Sequence, residues 1–199
     1  MKYKIIFRLI IWFSIFFVIF CNAFAIPEPC KSICPEMDYT DTRHTTFPYN
    51  GCIWEVTYLY RYANCVEPGM CDFYIADIRP ISGTNCGNGL DTYILFQNAK
   101  LRIIDIEDDT DCEPENGECN SLIAINYQSC WKWDGIFPGP GMGDVPPMVP
   151  CDGKACCRDV YKVCRSNEGV RTIELFAHIG LDIKCWNEEC FTICEEQKK

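Results

Sequence analysis

Alternating apolar and polar positions predict a strand in the first third of the chain. Over residues 52–62, one side carries the apolar and aromatic residues Trp54, Val56, Tyr58, Tyr60 and Tyr62. This period of two is typical of a strand in a sheet with one buried face. We expect the aromatic side to face the core, and an exposed platform for a sugar or a partner is the alternative.

Similar patterns predict further strands. A strand at 72–79, ended by Pro80, would pair with the first strand as an antiparallel hairpin whose loop lies at 64–70. Another strand is predicted at 122–127.

The remaining regular elements are one helix and a second hairpin. The apolar spacing of 90–104 favours a helix, with a strand at 101–106 as the alternative. The second hairpin is predicted at 156–165 and 170–178, around an Asn-Glu-Gly turn at 167–169.

Irregular segments separate these elements. Residues 26–46 hold few apolar positions and predict an irregular lead-in, while 137–150 holds five prolines and three glycines and predicts a long loop. This loop would divide a main body at 26–136 from a C-terminal hairpin segment at 151–199. The predicted fold class is α+β and disulfide-rich, with two antiparallel β-hairpins, one helix and long irregular loops.

Residues 1–25 predict a signal peptide. Three basic residues precede an apolar run at 9–20, and Ala23 and Ala25 form a small-x-small cleavage site. An uncleaved anchor is the alternative, but the run is shorter than the ~20 residues that span a bilayer. The mature chain is expected to start at Ile26, to be secreted or periplasmic, and to leave the membrane after cleavage.

Cysteine usage supports the same compartment. The chain has 17 Cys, of which Cys21 lies in the predicted signal peptide, so 16 remain. This density in an exported chain indicates a disulfide framework. Nine of the 16 precede the loop at 137–150 and seven follow it, and because both numbers are odd, full pairing requires a bridge across the loop. A single disulfide-linked domain at 26–199 is therefore predicted.

Some pairings can be argued from spacing. Cys112 with Cys119 would close an acidic hairpin, and Cys65 with Cys71 would close the first hairpin loop. Cys156 and Cys157 are adjacent on a predicted strand, so their side chains point to opposite faces and should bond to two different partners. The equal four-residue spacing of the pairs at 30 and 34 and at 190 and 194 suggests that the chain ends could be laddered together.

The charge balance excludes some partners. Removal of the signal peptide leaves 15 Lys and Arg against 28 Asp and Glu, a net charge of −13. A chain of this charge is repelled by phosphate backbones, so no nucleic-acid partner is expected, and anionic membranes are disfavoured for the same reason. An extracellular protein or glycan remains a candidate partner.

Reactive motifs are missing from the sequence. It contains no Cys-x-x-Cys pair, which zinc and thiol–disulfide exchange sites use, and no Gly-x-Ser-x-Gly nucleophile motif. Its two histidines are His44, expected on an exposed polar segment, and His178, expected in a hydrogen-bonded structural role. We therefore predict no catalytic residue and no bound cofactor apart from calcium, and the protein is expected not to be an enzyme.

An acidic segment at 105–118 is the most specific polar feature. If extended, it would project Asp105, Glu107, Asp109, Asp111, Glu113 and Glu115 from one face. Calcium takes six to eight oxygen ligands, and crowded carboxylates attract such a cation. A weak calcium site is one hypothesis, and a solvated acidic loop is the alternative.

The remaining candidate is a pair of tryptophans, Trp131 and Trp133, which alternation places on one face beside the loop at 137–150. They could border a binding surface or stack beneath the loop. Together these features favour a secreted, disulfide-stabilised structural or binding module. The alternatives are a calcium-dependent extracellular protein and a secreted hydrolase.

Overall fold

The computed structural model describes residues 30, 33–67, 69–83, 86–106, 112–119, 121–135, 145–151, 155–180, 185 and 187–194. The predicted signal peptide lies outside them. The described residues form one helix and nine strands: β1 Asp41–Tyr49, β2 Cys52–Ala63, β3 Met70–Ser82, α1 Thr92–Ile106, β4 Ser121–Gln128, β5 Cys130–Trp133, β6 Met148–Pro150, β7 Cys156–Arg165, β8 Arg171–Ile179 and β9 Phe191–Thr192.

The strands form one curled, half-barrel sheet with β3 at its centre. On one side β3 pairs with β2, which pairs with β1. On its other side β3 pairs with β4 along residues 71–74 and with β6 at Ile78. The β4 branch continues through β7 to β8, and the β6 branch continues through β5 to β9.

The fold is broadly α+β and mostly β, and the two predicted hairpins describe only part of it. Both are present, as β2–β3 and β7–β8. They are joined in one sheet because β3 and β4 pair in parallel. Parallel strands require a long crossover connection, and here that connection contains α1.

The predicted irregular lead-in is wrong from residue 41 onward, because Asp41–Tyr49 forms β1. The turn from β1 to β2 consists of Asn50 and Gly51, with φ of 52° and 73°. Two such residues at positive φ form the turn that fits the twist of a tight hairpin. Part of the predicted 137–150 loop is also regular, because β6 pairs with β5 and β3.

The core lies between α1 and the concave face of the sheet. Trp54, Val56 and Tyr58 are buried in it, which confirms that the aromatic face of β2 points inward. The side chain of Asp91 accepts a hydrogen bond from the backbone N–H of Ile94 at 3.1 Å and so caps the start of α1. The buried stripe of the helix consists of Leu95, Phe96, Ala99, Lys100, Ile103 and Ile104.

Eight disulfides link all 16 expected cysteines: 30–156, 34–65, 52–86, 71–112, 119–164, 130–185, 151–190 and 157–194. Cys156 and Cys157 do bond to different partners, as their alternation requires. Three of the bridges join residues before 137–150 to residues after it. Such a framework is consistent with an extracellular or otherwise non-cytoplasmic protein.

The two predicted local pairings are wrong. Cys119 bonds to Cys164 because the turn before it pairs with β7, with Gly117 N–H donating to Arg165 O at 2.8 Å and Arg165 N–H donating to Glu118 O at 2.9 Å. Cys112 instead reaches the buried Cys71 on β3.

The other cysteine corrections concern the first hairpin loop and the chain ends. Cys65 bonds to Cys34 rather than to Cys71, and so ties the loop after β2 to the lead-in. The chain ends do not ladder together directly. Each end is tied to β7 instead, through the adjacent Cys156 and Cys157. Among the described residues no helix is long and apolar enough to span a membrane.

Candidate functional site

A polar cluster lies between α1 and the β7–β8 hairpin. Lys100 extends from the buried stripe of α1, and Asp159 extends from the inner face of β7. His178 stands directly opposite Asp159 in the β7–β8 register, and Tyr127 reaches the cluster from β4. Four elements of the fold therefore bring these side chains together.

Asp159 is the centre of this cluster. Its Oδ2 accepts hydrogen bonds from the ammonium of Lys100 and from the hydroxyl of Tyr127, the latter at 3.1 Å. Its Oδ1 lies 2.5 Å from Nδ1 of His178. Because a carboxylate can only accept, Nδ1 of His178 is the donor in this contact, and Nε2 is the ring nitrogen that remains for a ligand. Charge-assisted hydrogen bonds of this kind hold the side chains of Lys100, Tyr127 and His178 in one orientation.

Burial controls the protonation of this cluster. It lowers the pKa of Lys100, and the neighbouring Asp159 carboxylate opposes that effect. Burial also raises the pKa of Tyr127, and the negative charge of Asp159 raises it further. Tyr127 therefore remains a hydrogen-bond donor across the physiological pH range.

The ammonium of Lys100 keeps unused hydrogen-bonding capacity. The residue is 1% exposed, and within the described part of the chain its ammonium bonds to Asp159 alone. An ammonium has three N–H donors, so two remain. The nitrogen lies 4.9 Å from the ring centre of Tyr127 and 5.7 Å from that of Phe96, which stabilises the positive charge.

These side chains line a cleft that opens to solvent. It contains about 280 Å³ of empty space, counted to its open mouth. Tyr93 and Gln97 of α1 form one wall, and Leu175 and His178 of β8 form the other. Because that figure includes space open to solvent, the cleft is small and suits a group no larger than one side chain.

Other residues at β8, which do not line the cleft, are exposed and apolar. Phe176 is 67% exposed and Ile179 is 56% exposed, and Val170 just before the strand is 60% exposed. The register shifts at Val160 and Tyr161 of β7, which leaves Phe176 without a partner on that strand. Exposed apolar residues grouped on one strand are typical of an interaction surface.

The predicted tryptophan surface is only partly exposed. Trp131 is fully buried and packs against Phe96, with ring centres 5.1 Å apart. It is therefore part of the core and cannot act as a platform, which corrects the prediction for this residue. Trp133 is half-buried and packs against Trp54 and Phe191. Trp131 is buried because β5 pairs with β6 on one side and with β9 on the other.

The described acidic residues of the segment 105–118 have different surroundings. Asp105 belongs to α1 and pairs with Arg102 at 3.0 Å. Glu113 pairs with Arg165 and Arg171, and Glu115 is exposed. Glu107, Asp109 and Asp111 lie outside the described residues. Among those that the structure describes, no three His, Cys, Asp or Glu side chains are grouped to hold a metal, and the calcium hypothesis stays a prediction.

A second polar network lies on the opposite face of the sheet. Arg61 donates to Asp72 at 2.6 Å and to the backbone oxygen of Cys34 at 2.7 Å. Asn126 donates to Tyr39 at 3.1 Å and also to Asp72. Because its ion pair is sealed from solvent and satisfied by the lead-in, this network fastens residues 34–39 to the sheet.

His44 lies on β1 rather than on an irregular segment. Its Nδ1 is 3.1 Å from the hydroxyl of Thr57.

The cluster around Asp159 was not predicted, although its signal is present in the sequence. Lys100 occupies a core position of the helical stripe, and Asp159 occupies an inward position of β7, with Cys157 and Tyr161 on either side. A charged residue at a core position of two separate elements indicates a buried pair.

The fold and the cleft define a disulfide-stabilised, mostly β protein with one polar cleft beside its helix. No protein-family model, no curated protein and no solved structure matches the chain.

Proposed function

We propose that the protein is a secreted, disulfide-stabilised binding module whose ligand site is the cleft between α1 and β8. The ligand presents a carboxylate to Lys100 and His178. The observation that carries this proposal is the buried ammonium of Lys100, which retains two N–H donors beside an open cleft. A buried donor without a protein partner is stabilised by a bound acceptor.

The charges of the cleft favour one anionic group. Lys100 is balanced by Asp159, so a second carboxylate requires a second cation. His178 supplies that cation when protonated, and the groups that face it are Asp159, Lys100, Tyr93 and Tyr127. Two cations then face two carboxylates across the cleft.

The residue types of the cleft favour binding over covalent catalysis. In the described part of the chain its lining includes no Ser, Thr or Cys side chain, and the amine of Lys100, which could otherwise act as a nucleophile, is hydrogen-bonded to Asp159. Tyr127 is committed to Asp159 as a donor. The hydrolase alternative has no comparable observation in its favour.

Nuclear magnetic resonance with sodium acetate as the probe tests this proposal, with sodium chloride at equal ionic strength as the reference. We expect saturable shifts of the His178 ring and the Tyr93 amide. In Lys100→Met these shifts should disappear. Lys162→Met is the matched control, because Lys162 lies on β7 like Asp159 but faces the opposite side of the sheet.

The variant Gln97→Leu provides a second test if Lys100→Met folds poorly. Gln97 lines the cleft from α1 and is half-buried, so its replacement should weaken acetate binding without disturbing the core. Acetate shifts that are linear, or that persist unchanged in Lys100→Met, would show that the cleft is not the site.

A further inference from the structure

We propose that the carboxylate is an Asp or Glu side chain of an extended partner segment, which adds a strand to the outer edge of β8. The inference rests on the proposed function, since it names the source of the carboxylate that the cleft takes. The observation behind the inference is that His178 and Leu175, which line the cleft, lie on β8, and β8 is an edge strand of the described sheet.

The outer edge of β8 is available for pairing. Among the described strands β8 pairs with β7 alone and stands at one end of the sheet. Such an edge presents backbone N–H and C=O groups that can pair with another extended chain. Natural edges are usually protected by charged side chains or proline, whereas β8 exposes Phe176 and Ile179 beside its edge.

The register places a partner side chain at the cleft. His178 and Leu175 point to the inner face of the sheet, where His178 meets Asp159. A residue opposite His178 on an added strand would point to the same face, with its Cβ about 4.5–5.5 Å from that of His178. An Asp or Glu side chain from this position would extend along the inner face towards His178 and Lys100, which both line the cleft.

The same geometry predicts the residue two positions away. Leu175 is the inward neighbour of His178 across the bulge, and it is 39% exposed within the cleft wall. An apolar side chain on the partner would cover it. The expected segment therefore alternates an acidic residue with an apolar residue at a period of two.

A second copy of this chain does not supply that acid through its own β8. The inward residues of β8 are Arg171, Ile173, Leu175 and His178, and none is acidic. Glu174 faces the other side of the sheet, opposite Lys162. The proposed partner is therefore an acidic segment of a different protein rather than β8 of a second copy.

The test uses a peptide with acetylated and amidated ends and the sequence Thr-Val-Thr-Glu-Thr-Val-Thr. Valines on both sides of Glu serve either strand direction. We expect it to bind the intact protein, to shift the backbone amides of β8 and the ring of His178, and to bind at least about tenfold more tightly than the same peptide with Gln in place of Glu. Phe176→Ser should weaken it severalfold. Ile81→Ser, an exposed apolar residue on β3, is the matched control.

The outcomes separate this inference from the proposed function. If acetate binds but the Glu peptide binds no more tightly than acetate, the added strand is refuted and the cleft remains a carboxylate site. If the Gln peptide with a free C-terminal carboxylate matches the Glu peptide, a chain terminus rather than a side chain is the ligand, and the inference is overturned. If neither acetate nor the peptide binds, both proposals fail.

Discussion

Replacing Lys100 by Met isolates the electrostatics of the cleft. The side chains of Lys100 and Asp159 are 2% and 3% exposed, and the substitution keeps an unbranched chain of similar volume. It leaves the Asp159 carboxylate buried, and among the described residues Tyr127 and His178 remain as its partners. Removal of one member of a buried ion pair typically costs about 3–5 kcal/mol.

We expect a loss near the lower end of that range, about 3 kcal/mol. Burial lowers the pKa of Lys100, which shows that its own desolvation opposes its charged form, and the substitution removes that cost. The double variant Lys100→Met/Asp159→Asn should recover most of the loss, because it removes both charges and keeps an acceptor for Tyr127.

Guanidinium-induced unfolding of the oxidised protein at neutral pH measures these differences. Arg79→Met is the matched control, because Arg79 pairs with Glu55 at the surface and exposed pairs contribute less than about 1 kcal/mol. Equal losses in the free energy of unfolding for Lys100→Met and Arg79→Met would refute the reasoning. So would a double variant that is less stable than Lys100→Met alone.

Three further predictions concern pH, turn geometry and calcium. Burial raises the pKa of Tyr127 and Tyr161 above that of a free phenol, so the stability that their neutral forms contribute is present below pH ~10 and is lost as the pH rises. The absorbance of ionised tyrosine should therefore increase together with alkaline unfolding. Ionisation of all tyrosines in the native state would contradict this. Gly51→Ala places a Cβ at a φ of 73° where it meets no neighbouring side chain, so the backbone strain alone should destabilise the protein by about 1–2 kcal/mol in the same unfolding assay, and an unchanged unfolding midpoint would contradict this. If the acidic segment binds calcium, the melting temperature should rise in millimolar calcium relative to chelator, and identical melting curves would remove that hypothesis.

The elements predicted correctly are those determined by local sequence. The β2–β3 and β7–β8 hairpins and α1 were found because apolar spacing and turn residues lie within one short window. β1 was missed because its apolar residues are few, although Asn50-Gly51 is a strong hairpin signal. The sequence also contains no local sign of the parallel pairing of β3 with β4, which are separated by α1.

The disulfides and the cleft depend on contacts between distant elements. Short spacing suggested Cys112–Cys119, but the pairing of Glu118 with Arg165 places Cys119 beside Cys164. For the cleft, the individual signals of Lys100 and Asp159 are local. Their meeting requires β7 to pair with β4 beneath the helix, and periodicity does not reveal this.

The three bridges that cross residues 137–150 have a consequence for proteolysis outside the cell. Cys30–Cys156, Cys119–Cys164 and Cys130–Cys185 join the two sides of this proline- and glycine-rich segment. A protease that cuts the chain there would produce two polypeptides that remain one covalent molecule. The cut form would separate only under reduction, so this protein can lose chain continuity and still keep its architecture.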